Sequence, residues 1–358
     1  MRQRKAPHKK QVIDKQVIGI LAGGKSAEHE VSLRSARTVM ENLNLEKYRP
    51  IEILVDRTGK WQLQATGQSV ILNTNAGQGE LLDRENCQLV TKLDVLFPVL
   101  HGPYGEDGSV QGLAKLANLP CVGAGILGSA VAMDKDVMRR LLVAAGIEVC
   151  PYKVIHRHDK QQHSYEQLQK KLGSVLFVKP ANMGSSVGIS RVDTAALFET
   201  ALEHAFAYDK KVVVEQAVQG RELEISVLGN DQPQVSVAGE ILTHDVFYSY
   251  QTKYASDSPA ELLIPAPLTA GQLQNIQQIA LQVFAILECR GMARVDLFLT
   301  NKNKVLINEL NTIPGFTSIS MYPKLWEASG MPITKLIDVL IKLALQEFAD
   351  QAALLDTF

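Results

Sequence analysis

The chain has 358 residues, 46% of them hydrophobic and 21% charged, the balance of a globular protein with enough apolar material for two or three cores. Lys plus Arg number 37 against 38 Asp plus Glu, a formal net charge of −1, which gives no basic field for nucleic acid or an anionic membrane surface. No apolar run approaches the roughly 18 residues that would span a bilayer.

Residues 1–16 are basic, lack the apolar core of a signal peptide and read as a disordered tail. Cys87, Cys121, Cys150 and Cys289 form no CxxC pair and read as free thiols of a reducing compartment, the cytoplasm. A first unit, 17–128, opens with an apolar strand, Val17 to Ala22, and a turn at Gly23-Gly24. A helix follows with Ala36, Val39, Met40 and Leu43 on one side, then strands at Ile51 to Val55 and Val95 to Leu100. Strand, helix, strand predicts an open α/β sheet, whose ligands sit beyond the carboxyl ends of the strands. Both the glycine turn and the loop HGPYGEDGS, His101 to Ser109, fall there.

A second unit, 129–217, holds a helix capped by Asp134 and stopped at Gly146, and a strand from Tyr152 to Ile155. Ser164 and Gln167 fit a capping box for a helix ending at Gly173. A strand at Val175 to Lys179, a Gly-Ser loop, a helix with Leu197, Ala201, Leu202 and Ala205 on one face, and a strand at Lys211 to Glu215 complete it. The third unit, 218–358, has strands near Leu223 to Leu228 and Gln234 to Ile241, then an aperiodic segment, Thr243 to Pro259, of a length that marks a functional lid or a disordered stretch. A long helix carrying Ile276, Ile279, Val283, Phe284 and Leu287 is closed by Gly291, and a hairpin and a last helix (Ile337, Leu340, Ile341, Ala344) end the chain.

Gly19 to Ser26 matches G-x-x-x-x-G-K-[ST], but Ile20, Leu21 and Ala22 continue the strand and leave too short a loop to wrap phosphates. The better phosphate loop is KPANMGSSVGIS, Lys179 to Ser190. A strand delivers the lysine, and glycines and serines free successive N–H groups. A flexible surface turn is the alternative. In ARVDLFLTNKNKVLINELN, Ala293 to Asn311, period-2 alternation puts Arg294, Asp296 and Phe298 on one face. A two-residue turn at Lys302-Asn303 would set Asp296 opposite Glu309 and Arg294 opposite Asn311. Two facing carboxylates need a cation between them, and hard oxygens suit Mg²⁺. A solvated hairpin face remains the alternative. Gly315, in TIPGFTSIS, can offer an N–H to an oxyanion or belong to an ordinary turn. Glu28 lies near a helix start, where an anion is stabilised with or without a function. His156 and His158 fit no metal motif with Asp159 or Cys150.

The motifs GGKSAEHEVSLRSA, LHGPYGEDGSVQG, MDKD, KPANMGSSVG, FYSYQTKY, ARVDLF and NELNTIPGFTSISMYPKL occur in order from Val17 to about Leu345. Together they resemble the D-alanine-D-alanine ligase family of ATP-grasp enzymes. The resemblance implies a three-domain ATP-grasp fold with an N-terminal open α/β sheet, a homodimer, ATP and Mg²⁺ (or Mn²⁺), and D-alanine as substrate, with no nucleic acid or membrane partner. Matched position by position, Lys135 and Lys179 resemble the phosphate-holding lysines, and Glu215 and Glu222 the adenine and ribose contacts. Lys253 and Phe298 fall among the nucleotide-binding positions, and Asp296, Glu309 and Asn311 among the metal ligands. Glu28 resembles the residue receiving the first substrate's ammonium, with Ser185 and Tyr254 beside it. Arg294 and Gly315 resemble oxyanion stabilisers, Ser320 the group receiving the second carboxylate, and His101 lines that cleft.

The implied chemistry activates one carboxylate as an acyl phosphate, which a second amine attacks. Lys253-Tyr254 matches the dipeptide-forming branch rather than the branch that makes an ester with D-lactate. The rivals are a ligase with D-lactate or D-serine as acceptor, and a nucleotide-binding regulatory protein without chemistry.

Overall fold

A computed structural model describes residues 15–75, 78–242 and 261–354. The expected lid, with Lys253 and Tyr254, lies outside the described residues, as do residues 1–14. Gln16, assigned from sequence to the tail, begins the first strand.

The chain opens as β1 (Gln16–Gly23), α1 (His29–Asn42) and β2 (Tyr48–Val55). β1 and β2 pair in parallel, with Gly19 opposite Ile51 and Leu21 opposite Ile53. Gly19 is thus in mid-strand, and a Cβ there would come 2.7 Å from Leu93, so the Walker-like octapeptide has no loop to wrap a phosphate. The turn comes at Gly23 and Gly24, with φ of 91° and 98°, conformations that glycine adopts at little steric cost.

Four short strands follow: β3 (Trp61–Leu63), β4 (Ser69–Leu72), β5 (Glu80–Asp83) and β6 (Leu89–Lys92). They run antiparallel, and β7 (Val95–Pro98) then returns parallel to β1 on its other side, giving the order β6-β5-β4-β3-β2-β1-β7. Three helices, α2 (Ser109–Leu116), α3 (Ile126–Met133) and α4 (Lys135–Ala144), lead out of this sheet. The Asp134 side chain caps α4 by accepting from the N–H groups of Asp136 and Val137.

The second sheet is antiparallel, in the order β10-β9-β11-β8. It comprises β8 (Tyr152–His156), β9 (Leu176–Pro180), β10 (Ser190–Val192) and β11 (Lys211–Gln216), with α5 (Tyr165–Leu172) and α6 (Ala195–Phe206) packed on it. Ser164 and Gln167 form the expected capping box. Leu197, placed from sequence on the buried face of α6, is half exposed, and Phe198 turns inward instead.

The third sheet has the order β14-β13-β12-β15-β16. Its strands are β12 (Gly220–Gly229), β13 (Gln234–Leu242), β14 (Glu261–Leu263), β15 (Gly291–Thr300) and β16 (Val305–Asn311), and α7 (Ala270–Ile286) covers one face. Gly291 does not close α7, as its spacing suggested: the helix ends at Ile286 with Leu287 as its cap, Glu288 turns at φ 53°, and Gly291 opens β15. After α8 (Met321–Ala328), the long α9 (Ile333–Ala352) ends the described chain.

Two shared cores fix the first and third sheets relative to one another. Leu336, Ile337, Leu340 and Ile341, spaced i, i+1, i+4, i+5 on α9, pack against Ile18, Ile20 and Phe97 of the first sheet. Each such buried side chain contributes about 1.5–3 kcal/mol. Ala132, Met138 and Leu142 of α3 and α4 join the core of the third sheet through Leu223 and Val295. The first sheet is therefore held against the third, and Lys135 at the start of α4 bridges the Gly-Ser loop after β9 to the β15–β16 hairpin, donating to Met183 O and pairing with Glu309.

Candidate active site

Two adjoining cavities, of about 410 Å³ and 140 Å³, share Gly184, Ser185, Ile241 and Glu309 along their common edge. The described residues singled out in the sequence divide between them.

The larger cavity is built on β9 and β11. Their pairing sets Lys179 opposite Val213 and Glu215 opposite Phe177. The Lys179 ammonium pairs with the Glu215 carboxylate and reaches Asn308 Oδ1 at 3.4 Å. The other Glu215 oxygen accepts from Arg139 Nη2 at 2.6 Å. Arg139 comes from α4 and is fully buried, with its guanidinium 5.1 Å from the centre of the Tyr152 ring and its Nη2 also donating to Asn308 O at 3.2 Å. Burial alone would raise the Glu215 carboxyl, but Lys179 and Arg139 outweigh it and hold it below its ordinary value. Severing such a buried pair by deleting one partner typically costs about 3–5 kcal/mol. Glu222 and Phe298 lie opposite each other on β12 and β15 and line the same cavity.

Lys135 starts α4 and stands where the Gly-Ser loop meets the hairpin. Its Nζ donates to the Met183 carbonyl at 2.7 Å and pairs with Glu309 at 3.2 Å. The Met183 side chain takes no part in this contact. Beyond it Ser185 and Ser186 both adopt positive φ, 48° and 60°, a backbone form that turns successive N–H groups to one side.

In the hairpin Asp296 lies opposite Glu309 and Arg294 opposite Asn311, the expected pairing. The turn that produces it differs from expectation. Thr300 N donates to Lys304 O at 2.9 Å, which encloses three residues with Asn303 at φ 58°, rather than two. A bulge at Asn308, between the Leu297–Ile307 and Asp296–Glu309 pairs, restores the register. The Arg294 guanidinium grips Asp296 at 2.7 Å through each of Nε and Nη2 and pairs with Glu224 at 2.9 Å. Burial works against its charge, but Asp296 and Glu224 hold its pKa well above the ordinary value. Asn311 Nδ2 donates to Asp296 Oδ2 at 3.0 Å, leaving its Oδ1 as an oxygen donor. The facing carboxylates are thus already balanced by protein cations, Asp296 by Arg294 and Glu309 by Lys135. Among the described residues no group of three or more His, Cys, Asp and Glu gathers as a metal site. The donor set here is two carboxylates and an amide.

The smaller cavity meets the first sheet. Glu28 immediately precedes α1, where the helix dipole favours its charge, but makes no side-chain capping bond. Its carboxylate accepts from the Ser185 hydroxyl instead. Arg294 and Asn311 reach this cavity, and His101, Gly315 and Ser320 line it. His101 Nδ1 is 3.0 Å from Ile313 O and Nε2 is 3.1 Å from Ser35 Oγ. Burial lowers its pKa, which keeps the ring neutral. Gly315 approaches Ser320 closely: a Cβ would come 2.7 Å from Ser320 Oγ. Ser320 stands at the N-terminus of α8, where N–H groups and the dipole favour an anion. His156 and His158 stack with ring centres 5.4 Å apart, away from both cavities.

Four buried residues of this region have no role read from sequence: Arg139, Glu224, Ser35 and Glu106. Arg139 sits in an Arg-Arg pair on an amphipathic helix, which reads as solvated surface. Glu106 lies in the quoted HGPYGEDGS loop, and burial, then Glu28, push its carboxyl up to about 8.

The chain matches two family models, described as D-ala D-ala ligase N-terminus over residues 17–124 and D-ala D-ala ligase C-terminus over residues 141–342. It is 47% identical over 350 residues to a D-alanine–D-alanine ligase of Shouchella clausii, covering 93% of this chain and 95% of that one. The solved D-alanine-D-alanine ligase of Coxiella burnetii superposes with a TM-score of 0.86 at 37% identity, covering 94% of this chain and 96% of that one. A D-Ala:D-Ser ligase of Enterococcus faecalis superposes with a TM-score of 0.84 at 35% identity, covering 92% of this chain and all of that one.

Proposed function

The chain belongs to the D-alanine–D-alanine ligase family, with its ATP-grasp fold, and we infer that it joins two D-alanine molecules into D-alanyl-D-alanine with cleavage of ATP to ADP and phosphate, supplying a peptidoglycan precursor. One observation carries this reading. Ser185 and Glu309 line both cavities, so a nucleotide's terminal phosphate in the larger meets a substrate carboxylate in the smaller.

The larger cavity takes ATP. Phe298 and the neighbouring apolar wall face the base, Glu215 and Glu222 offer acceptors for adenine and ribose, and Lys135 and Lys179 neutralise the phosphates. Lys253, outside the described residues, is assigned to the same nucleotide. The donor set of Asp296, Glu309 and Asn311 is of hard oxygens at the cavity edge and fits Mg²⁺ or Mn²⁺, which takes one or two carboxylates together with phosphate oxygens. The metal, when bound, offsets charge on the transferring phosphoryl group.

The first D-alanine sets its ammonium on Glu28, with Ser185 and Tyr254 beside it. Its carboxylate oxygen attacks the terminal phosphorus, ADP leaves, and an acyl phosphate forms. The second D-alanine places its carboxylate at Ser320 and the start of α8, next to His101. Its free amine attacks the acyl carbon. Arg294, held cationic, and the Gly315 N–H stabilise the tetrahedral oxyanion, and phosphate departs with the oxygen it took from the first carboxylate.

A homodimer in the cytoplasm accords with this role. Cys87, Cys121, Cys150 and Cys289 are all free, and among the described residues no helix is long and apolar enough to cross a membrane. Purified protein with ATP and Mg²⁺ is expected to release ADP only on addition of D-alanine, with one dipeptide per ADP. Absence of stimulation by D-alanine, or dominant ester formation with D-lactate at neutral pH, would overturn the reading.

A further inference from the structure

We infer that Ser35, Glu106 and His101 form a three-point clamp that positions the Ile313–Phe316 loop, so that Gly315 N–H alone faces the reaction. The inference rests on the ligase reading. Each clamp contact is to backbone. Ile313 N donates to Glu106 Oε1 at 3.1 Å, and the other Glu106 oxygen accepts from Gly102 N at 2.8 Å. Ile313 O is an acceptor only, so His101 Nδ1, 3.0 Å away, carries the proton. In the neutral ring Nε2 is then an acceptor, which fixes Ser35 Oγ, at 3.1 Å, as the donor to it. The same Ser35 oxygen accepts from Phe316 N at 3.1 Å.

The loop is thereby held at both ends by the first unit of the chain. Pro314 has no N–H, Ile313 and Phe316 spend theirs on the clamp, and Gly315 N–H has no hydrogen-bond acceptor among the described residues. Ser35, His101 and Glu106 are 0%, 4% and 8% exposed, so water does not compete for these contacts. Both His101 nitrogens are engaged, which makes it a positioning group and not a proton carrier. Ser35 and Glu106 are 71 positions apart and on different elements. Each fixes one end of the loop.

A loosened loop would slow attack by the amine more than formation of the acyl phosphate. Water would then take the amine's place, returning D-alanine and phosphate and raising ADP relative to dipeptide. The test measures that ratio, KM for ATP and thermal midpoint in wild type, Ser35→Ala, Ser35→Thr and Glu106→Gln. Ser35→Ala and Glu106→Gln are expected to lower dipeptide turnover about tenfold, below the loss from deleting an oxyanion donor outright. The ratio should rise above one, KM for ATP should hold within about twofold, and Ser35→Thr, which keeps the hydroxyl, should restore coupling. Glu106→Gln preserves volume and is read independently should Ser35→Ala fail to fold. A ratio that stays at one in both variants, with loss only in thermal midpoint, overturns the clamp. Wild type that makes no dipeptide refutes the ligase reading itself and takes the clamp with it.

Discussion

The Ser185 hydroxyl donates to the Glu28 carboxylate, joining the Gly-Ser loop of the second sheet to the start of α1 beside the first across 157 positions. Both residues line the smaller cavity. Ser185→Ala removes the hydroxyl and leaves the loop backbone in place. It is expected to lower kcat/KM for D-alanine about 10–100-fold, the equivalent of one or two charge-assisted hydrogen bonds. The effect on KM for ATP should be smaller, and steady-state kinetics with each substrate varied separates the two.

Lys25 belongs to the Walker-like octapeptide but lies beside Tyr104, with its Nζ 5.3 Å from the ring centre, and lines neither of the two cavities. Lys25→Ala is expected to retain turnover within about threefold, as for a surface cation–π contact worth less than about 1 kcal/mol. Lys179→Ala, by contrast, strips the charge proposed to face the phosphates and orphans one side of Glu215. Its ADP release should fall by more than about 100-fold.

Glu309 is the one of the proposed metal donors that lines both cavities. Chelation of divalent cations is expected to stop D-alanine-dependent ADP release, and added Mg²⁺ to restore it. Glu309→Gln should weaken Mn²⁺ binding in the presence of ADP at least as much as loss of an outer partner does, by about 10–100-fold. Titration followed by electron paramagnetic resonance reads that affinity directly.

Asp338 on α9 accepts from Tyr48 OH at 2.7 Å and pairs with Lys47 at 3.0 Å and Lys342 at 2.8 Å. Burial would raise its carboxyl, but hydrogen bonds from Lys342, Tyr48 and Lys47 outweigh that and hold it at about 2 against an ordinary 3.8. A carboxylate with a depressed folded pKa contributes stability that is complete above 3.8 and is lost as pH falls through about 2. Asp338→Asn is therefore expected to cost about 1–2 kcal/mol near neutral pH. The gap to wild type should close in acid, measured by urea denaturation across pH.

Elements with strong local signals were legible. The Ser164–Gln167 capping box, the Asp134 cap and the apolar stripe of α9 stand where the sequence puts them. The hairpin pairing was also legible, but for an incomplete reason: one extra residue in the turn and one at Asn308 compensate, and period-2 patterning cannot register such a pair of insertions. Strands β3 to β6 are only three or four residues long, too short to show a period. The partners of α3 and α4, the inward turn of Phe198 and the burial of Arg139 depend on tertiary packing, which no local pattern encodes. Glu106 was visible only as one acid in a polar loop, because its contacts reach Ile313, 207 positions away.

The sharpest test follows one oxygen. D-alanine labelled with ¹⁸O in its carboxylate is incubated with the enzyme, ATP and Mg²⁺, and the released phosphate is analysed by mass spectrometry. Attack of that carboxylate on the terminal phosphorus predicts one ¹⁸O in the phosphate for each dipeptide made. Unlabelled phosphate accompanying dipeptide, or label appearing in AMP, would contradict it.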